Sequence, residues 1–183
     1  MAKELEVKVL NIDKGAIEEK LQNIGARLIS KEYQINTLYD SENKTIENLG
    51  DGYLRIRETR NLLTDEVEIL FTLKKNISSE IARENMEIET RVWDKAALNT
   101  ILKHLNLNVI HEGTKERISY VFEDIRFDID TWDVNTYPYP YLEIEVLKKE
   151  DIQKAVELLK IEARNVTTKS LRELRAELNL DKI

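Results

Sequence analysis

The sequence predicts an α+β protein in which an antiparallel β-sheet takes up most of the chain. About eight segments alternate charged and aliphatic side chains with a period of two, the pattern of strands with one apolar face. Four other segments have apolar residues at helical spacing, most of them after a typical N-cap residue. The chain has 183 residues, 42% of them hydrophobic, and no long linker or low-complexity stretch. It is therefore predicted to form a single domain over residues 1–183.

The first strand shows the alternation most clearly. In Lys3–Leu10 the charged side chains of Glu4, Glu6 and Lys8 point to one face, and the aliphatic side chains at positions 5, 7 and 9 point to the other. An isolated strand of this kind usually turns its charged face to water. Its meaning therefore depends on whether later strands repeat the pattern.

The remaining elements follow in order along the chain. Seven further strands are predicted at Arg27–Tyr39, Tyr53–Glu58, Val67–Lys75, Arg83–Val92, Val109–Val121, Ile125–Trp132 and Tyr141–Leu147. Helices are predicted between an Asp13 cap and Gly25, and at Lys95–Leu105, Ile152–Ile161 and Ser170–Leu178. Polar turns are predicted at Asp40–Lys44 and Gly50–Gly52. The prolines within Tyr137–Tyr141 predict a stiff, extended connection between the last two strands. For the aromatic residues of Trp132–Tyr141, a rigid packed turn is favoured over a surface that stacks on a base.

Nearly every later strand also has one charged face. The polar side chains that lie in phase are Arg55 and Arg57; Thr72 and Lys74; Arg83, Glu87 and Glu89; Lys115, Arg117 and Ser119; Asp128 and Asp130; and Glu143 and Glu145. Two architectures satisfy this alternation: an open sheet with its charged face in water, or a closed barrel with its charged face inward. Charges enclosed in a barrel need partners or a ligand, and a metal-chelated polyphosphate would supply both signs. The alternation alone does not decide between the two.

Composition and missing motifs exclude several classes of protein. The net charge of −7 argues mildly against nonspecific nucleic-acid binding, and no apolar run is long enough to cross a bilayer. Met1–Glu4 does not resemble a secretory signal, so we expect a cytoplasmic protein with no membrane or nucleic-acid partner. The absence of cysteine excludes disulfides and thiolate zinc sites, and His104 and His111 lack partners at metal-binding spacing. Without a glycine-rich phosphate loop, any phosphate must be held by side chains.

The charged positions, taken in order, show a family resemblance. The segments concerned are Glu4-Leu5-Glu6-Val7-Lys8, Gln34 to Asp40, Leu54-Arg55-Ile56-Arg57, Thr72-Leu73-Lys74, Arg83 with Glu87 and Glu89, Lys115-Glu116-Arg117, Asp128-Ile129-Asp130 and Leu142-Glu143-Ile144-Glu145. From end to end this set resembles the CYTH superfamily, the triphosphate tunnel metalloenzymes. The resemblance implies a closed eight-stranded antiparallel β-barrel with helices packed outside. It also implies a Mg²⁺ or Mn²⁺ cofactor and a small-molecule triphosphate bound in the tunnel.

The resemblance further implies roles for individual residues. The metal ligands would be Glu4, Glu6, Asp130, Glu143 and Glu145. The triphosphate would be bound by Lys8, Arg55, Arg57, Lys74, Arg83, Lys115 and Arg117. The catalytic set would be Glu4, Glu6, Lys8 and Lys74, with supporting roles for Glu87, Glu89 and Asp128.

More than one activity is compatible with such a tunnel. Attack of water on the terminal phosphorus of a nucleoside, thiamine or inorganic triphosphate would release orthophosphate. Attack of the ribose 3′-hydroxyl of ATP on the α-phosphorus would instead make cyclic AMP and pyrophosphate, the reaction of a class IV adenylyl cyclase. The cyclase branch commonly has a glycine-containing turn where this chain has Trp132–Tyr141, so we favour a triphosphatase. A noncatalytic nucleotide or polyphosphate sensor is a third alternative. The last helix would cover the barrel or, alternatively, support a homodimer.

Overall fold

A computed structural model describes residues 2–49 and 52–180 of the chain. Within these residues the strands are β1 Ala2–Val9, β2 Arg27–Asp40, β3 Tyr53–Asn61, β4 Val67–Ser78, β5 Arg83–Arg91, β6 Asn108–Phe122, β7 Ile125–Trp132, β8 Tyr141–Val146 and β9 Val166–Thr167. The α-helices in this part of the chain are α1 Lys14–Asn23, α2 Lys95–His104, α3 Glu150–Leu158 and α4 Leu171–Glu177. Every predicted strand and helix is present. The predicted turn at Gly50–Gly52 lies mostly outside the described residues.

Eight of the strands close into an antiparallel barrel. Each strand from β5 through β4, β3, β2, β6, β7 and β8 to β1 pairs with the next, and β1 also pairs with β5. The closing pairs run from Ala2 opposite Glu87 to Glu6 opposite Arg83. The closed barrel implied by the family resemblance is therefore confirmed, and the open sheet is excluded.

The short strand β9 was not predicted. The pairing of β1 with β5 ends at Glu6, and Val166 and Thr167 then pair with Val9 and Lys8 along the same edge. A strand of two residues is too short for an alternation of side chains to show in the sequence.

The outer face of the barrel is apolar and lies under the helices. Helices α1 and α3 cover β1, β6, β7 and β8 through a core that includes Leu21, Phe127 and Val156. Helix α2 covers β2 and β3 through Leu102, which packs with Ile56. With the apolar faces buried outside, the charged faces of the strands are turned into the barrel.

The helix caps show why most helix boundaries are readable in the sequence. The Asp13 carboxylate accepts a hydrogen bond from the Ala16 N–H at 2.7 Å, and Gly25 adopts a positive φ of 81° after α1. Helix α3, predicted at Ile152–Ile161, instead ends at Leu158 because Lys160 turns to a positive φ of 48°. No described helix has the length and apolar character that a membrane span requires.

The connection between β7 and β8 is a packed turn, as favoured for its aromatic residues, and not the extended segment that its prolines predicted. Asp133 accepts hydrogen bonds from the backbone N–H groups of Asn135 and Thr136 at 3.1 and 2.9 Å. The rings of Tyr137 and Tyr141 then meet at a steep angle with their centroids 6.0 Å apart. The aromatic residues of this segment therefore serve packing.

Helix α4 lies over one end of the barrel. Its Leu174 is buried against the tyrosines of the β7–β8 turn. Arg172 pairs with Glu47, which follows β2, at 2.7 Å, and Glu173 lies 3.5 Å from Arg83 at the start of β5. These contacts come from three sides of the end at which β8 begins, called the α4 end below. The opposite end, at which β5 and β8 finish, is called the rim end.

Candidate active site

Two lysines inside the barrel are paired with carboxylates from neighbouring strands. Lys8 of β1 lies 2.9 Å from Glu143 and 3.6 Å from Glu6. Burial opposes the charge of Lys8, but these two carboxylates outweigh it and raise its pKa. The same lysine, acting with the Arg117 guanidinium, outweighs the effect of burial on Glu143 and holds the Glu143 pKa well below its usual range.

Lys74 of β4 is the centre of a second group. Its Nζ lies 2.9 Å from Glu4, 2.9 Å from Glu87 and 3.6 Å from Glu6. Burial opposes the charge, but Tyr53 and the three carboxylates outweigh it and raise the Lys74 pKa well above its usual range. Residues of β1, β4, β5 and β8 that are far apart in the chain are therefore joined through two ammonium groups.

Arg117 of β6 holds a third group of carboxylates. Its Nε and one terminal nitrogen bind Asp130 at 2.6 and 2.7 Å, a two-point contact that only arginine can make. Its terminal nitrogens also contact Glu143 at 2.6 Å and Asp128 at 2.7 Å. Asp130 is completely buried. These carboxylates outweigh the effect of burial and raise the Arg117 pKa well above its usual range.

Lys115 shares Asp130 with Arg117. The Lys115 Nζ lies 2.8 Å from Asp130, yet the pKa of the lysine is lowered to about 7. Burial is the main cause, and the positive charge of Arg117 adds to it because the single charge of Asp130 is divided between two cations. The short distance therefore marks a hydrogen bond without full neutralisation of charge.

Two arginines of β3 have no carboxylate partner in the described part of the chain. Arg57 donates from Nε to the Asn36 amide oxygen at 2.9 Å, and Arg55 donates to the Tyr53 hydroxyl at 3.2 Å. Burial, together with Arg55 and Arg117, lowers the Arg57 pKa to about 10. The buried Nε of Arg55 and Nδ2 of Asn36 have no hydrogen-bond partner within the described structure. Unpaired donors of this kind mark a place for an anionic acceptor.

One carboxylate on β8, in contrast to these arginines, has no cation paired with it among the described residues. Glu145 forms no ion pair with the described residues, and its pKa is raised to about 7 by burial and then by the negative charge of Glu4. Burial also raises the Glu4 pKa, against the opposing effect of Lys74. Positive charge is therefore in excess around β3, and negative charge is in excess where β1 meets β8.

The acidic group suits a hard divalent cation. Carboxylate oxygens are the ligands that Mg²⁺ prefers, and a cation beside Glu145 and Glu4 would relieve the repulsion that raises their pKa values. In the described residues no three acidic or histidine side chains are yet close enough together to bind a metal. These carboxylates are separated because each is bound to a lysine. Lys8 pairs with Glu143, and Lys74 pairs with Glu4 and Glu6.

The other predicted site residues lie toward the two ends. Arg83 is buried at the α4 end. Glu89 is exposed at the rim end and accepts a hydrogen bond from Thr72 at 2.8 Å. Asp128 is buried and pairs with Arg117. All the predicted site residues therefore line one barrel, and the ones joined directly by contacts belong to the Lys8, Lys74 and Arg117 groups.

A model of the CYTH domain matches residues 2–172 of the chain. The chain belongs to the CYTH family. This match covers all eight strands of the barrel and every residue of the three charged groups.

The names given to similar proteins mention both adenylate cyclase and triphosphatase activity. A Methanocaldococcus jannaschii protein named "Putative adenylate cyclase MJ0240" is 29% identical over 181 residues, which cover 94% of this chain and 98% of that protein. The PH1819 protein of Pyrococcus horikoshii OT3 has a similar structure, with a TM-score of 0.78 at 22% identity and coverage of 96% and 99%. HpAC1 of Hippeastrum, described as a "putative adenylyl cyclase" with a dominant triphosphatase activity, has a TM-score of 0.69 at 12% identity, with 99% of each chain covered. At these identities the two structures establish likeness of fold alone.

Several residues of the CYTH barrel had no role assigned from sequence. Asn36 contacts Arg57, Asn85 donates to Glu6 at 3.2 Å, and Arg126 contacts Asp128 at 2.9 Å. Each lies in phase with a charged neighbour on its own strand, so the same alternation could have found them. They were missed because the amides are uncharged and Arg126 lies at the start of its strand.

Proposed function

We propose that this chain is a divalent-metal-dependent enzyme that acts on a triphosphate inside the barrel, and that it hydrolyses the triphosphate to release orthophosphate. The observation that supports this most is the separation of unpaired charge. Arg55 and Arg57 have no carboxylate paired with them on one side, and Glu145 has no cation paired with it on the other, within the described residues. A polyphosphate chelated to a metal ion offers charges of both signs and would neutralise both sides.

The arginines supply the contacts for the phosphate groups. Guanidinium groups bind phosphate oxygens through two parallel hydrogen bonds, and the unpartnered donors of Arg55 and Asn36 add direct contacts. Lys8 and Lys74 contact the acidic group, and they can pair with phosphate oxygens in place of these carboxylates. Binding would thus replace internal ion pairs with contacts to the ligand.

The proposal assigns the metal to the carboxylates of β1 and β8. Glu4, Glu6, Glu143 and Glu145 would hold Mg²⁺ or Mn²⁺, which when bound withdraws negative charge from phosphate oxygens. Asp130 is held by Arg117 and Lys115 and would orient those cations. With the ligand so fixed, phosphoryl transfer requires mainly positioning and charge stabilisation from the protein.

Hydrolysis is favoured over cyclisation by the aromatic residues. A cyclase must hold a nucleoside beside the α-phosphate, which calls for an aromatic or apolar surface within the site. Three rings have inward phase at the α4 end. Trp132 and Tyr141 are hydrogen-bonded to each other at 2.8 Å and packed under α4, and Tyr53 accepts a hydrogen bond from Arg55 at 3.2 Å. The name of the M. jannaschii relative keeps adenylyl cyclase as the second candidate.

Product analysis tests the proposal. The protein would be incubated with ATP, thiamine triphosphate or tripolyphosphate in Mg²⁺ or Mn²⁺, and the products separated by ion-exchange chromatography. Orthophosphate formed with metal and abolished by chelator is the expected result. Cyclic AMP with pyrophosphate would establish a cyclase instead, and binding without turnover would establish a sensor; either contradicts the proposed hydrolysis.

A single substitution tests the metal assignment separately. Glu145→Gln removes a carboxylate that has no ion pair in the described structure, so the barrel should fold normally while metal-dependent activity falls. Glu116→Gln, on the outer face of β6, is the matched control and should be active. Full activity of Glu145→Gln at low metal concentration would contradict the assignment.

A further inference from the structure

Gln34 of β2 has a buried amide oxygen without a hydrogen-bond partner. Its side chain is 1% exposed and has the same inward phase as Asn36. Its Nε2 donates to Glu32 at 2.6 Å, but its Oε1 has no partner among the described residues. Leaving a buried acceptor unpaired costs free energy of folding, so an oxygen of this kind calls for an explanation.

The neighbouring carboxylate sets the orientation of this amide. Burial opposes the negative charge of Glu32, but hydrogen bonds from Ser30 and Gln34, helped by Arg117, outweigh burial and lower the Glu32 pKa. Glu32 is therefore ionised and can only accept hydrogen bonds, which requires the amide nitrogen of Gln34 to face it. The oxygen of Gln34 must then face away from Glu32, where it is a free acceptor.

Asn36 is fixed in the opposite sense. The Nε of Arg57 donates to its Oδ1 at 2.9 Å, and a guanidinium group can only donate, so the Nδ2 of Asn36 is the atom left unpaired. A free donor beside Arg57 suits a phosphate oxygen. The free acceptor of Gln34, about 7 Å farther along the strand, does not suit one, because two oxygens repel each other without a proton between them. It suits a group that carries a proton, and in a hydrolytic site that group is water.

Gln34 lies next to the phosphate-binding arginines and opposite the acidic group. Asn36, on the same face of β2, pairs with Arg57 of β3. Gln34 itself pairs with Lys115 of β6, whose Nζ is directed to Asp130 and not to this oxygen. In the closed order of strands, β2 and β1 are four steps apart in either direction, so Gln34 lies across the barrel from the carboxylates of β1. A water at Gln34 would therefore meet a bound phosphate from the wall opposite those carboxylates.

We infer that the Oε1 of Gln34 holds the water that attacks the terminal phosphorus. This inference rests on the proposed function and deepens it by naming the residue that positions the nucleophile. The water oxygen bonds to the terminal phosphorus as the bond from that phosphorus to the bridging oxygen breaks, and the diphosphate leaves with the electron pair. The water proton passes to an oxygen of the new orthophosphate. Gln34 orients the water and takes no proton, because an amide oxygen is not basic.

Size-matched apolar substitutions separate the roles of the two amides. Gln34→Met removes the acceptor, so kcat for the triphosphate that the wild type hydrolyses fastest should fall about 100-fold. Its KM, and the calorimetric affinity for tripolyphosphate without metal, should change less than about threefold, because binding does not use the water. Asn36→Leu removes the donor, so KM should rise about tenfold with little change in kcat. Gln153→Met is the matched control: Gln153 also donates to a glutamate, Glu157 at 2.8 Å, but it lies exposed on α3 and its variant should behave as the wild type.

Glu32→Met tests the same assignment without altering Gln34. It removes the carboxylate that orients the amide, so kcat should fall about tenfold with unchanged affinity for tripolyphosphate, and it decides the question by itself if Gln34→Met does not fold. Unchanged kcat in these variants would overturn the role of Gln34. A loss of affinity as large as the loss of kcat would also overturn it, because Gln34 would then serve binding. Wild-type protein that releases no orthophosphate from any triphosphate would refute the proposed function instead.

Discussion

At the scale of single residues, cations inside the barrel differ in whether a carboxylate is paired with them. Lys8 is buried and held by Glu143 and Glu6, whereas the half-buried Arg57 has only the neutral amide of Asn36. A buried paired charge stabilises its partner, but a buried unpaired charge costs free energy of folding. A paired cation such as Lys8 therefore stabilises the fold. An unpaired cation such as Arg57 lowers the stability of the fold, and a bound anionic ligand would offset that cost.

This difference predicts that two similar substitutions have unequal effects on stability. Lys8→Gln should lower the free energy of unfolding by about 3 kcal/mol because it leaves Glu143 and Glu6 short of a cation. Arg57→Gln should change it by less than about 1 kcal/mol, or raise it, because an unpaired charge is removed. Urea unfolding of the ligand-free proteins measures both. Equal destabilisation by the two substitutions would contradict the description of Arg57.

Glu145 predicts a pH dependence of stability. Its pKa is about 7 in the folded protein against an ordinary value of 4.5, so the unfolded chain ionises first as the pH rises. Its contribution therefore lowers the free energy of unfolding between about pH 4.5 and 7, by up to about 3 kcal/mol. Glu145→Gln lacks this effect. In chelator, the variant should gain stability relative to the wild type from pH 4.5 to 8, and a constant difference would contradict the prediction.

At the scale of elements, the strands were predictable and the closure was not. Each strand carries its own alternation, so local pattern was enough to locate β1 to β8. Closure depends on β1 pairing with β5, for example Leu5 with Glu84, and no local pattern encodes a pairing between residues so far apart. Only the ordered family resemblance implied it. The extended shape predicted from the prolines of the β7–β8 connection was wrong, because the Asp133 hydrogen bonds decide its shape more than the prolines do.

Helix α4 is predicted to depend on one buried arginine. Arg175 donates to the backbone carbonyl groups of Thr136 and Asn135 in the β7–β8 turn and to that of Leu180. Arg175→Met should cost about 2 kcal/mol, because it leaves the buried carbonyl group of Thr136 and the two partly buried ones short of a donor. Arg172→Met is the matched control on the same helix; its pair with Glu47 is half-exposed and should cost less than about 0.5 kcal/mol. Similar urea midpoints for the two variants would contradict this role of Arg175.

At the scale of the whole molecule, the barrel encloses charge that the described residues do not fully neutralise. The sequence placed the charged residues on one face of each strand, and the fold turned those faces inward. Which of them are mutually paired could not be predicted, because the pairs join β1 to β8 and β6 to β7 in three dimensions. Three charged residues remain without an oppositely charged partner in the described structure: Arg55, Arg57 and Glu145. From them we infer what the barrel binds.

Calorimetric titration with tripolyphosphate in Mg²⁺ tests this central claim most directly. The double variant Arg55→Gln/Arg57→Gln would be compared with the wild type and with Arg60→Gln, an exposed arginine of the same strand. The account predicts that the wild type and Arg60→Gln bind alike and that the double variant binds at least about 100-fold more weakly. Equal affinity of the double variant and the wild type would contradict it.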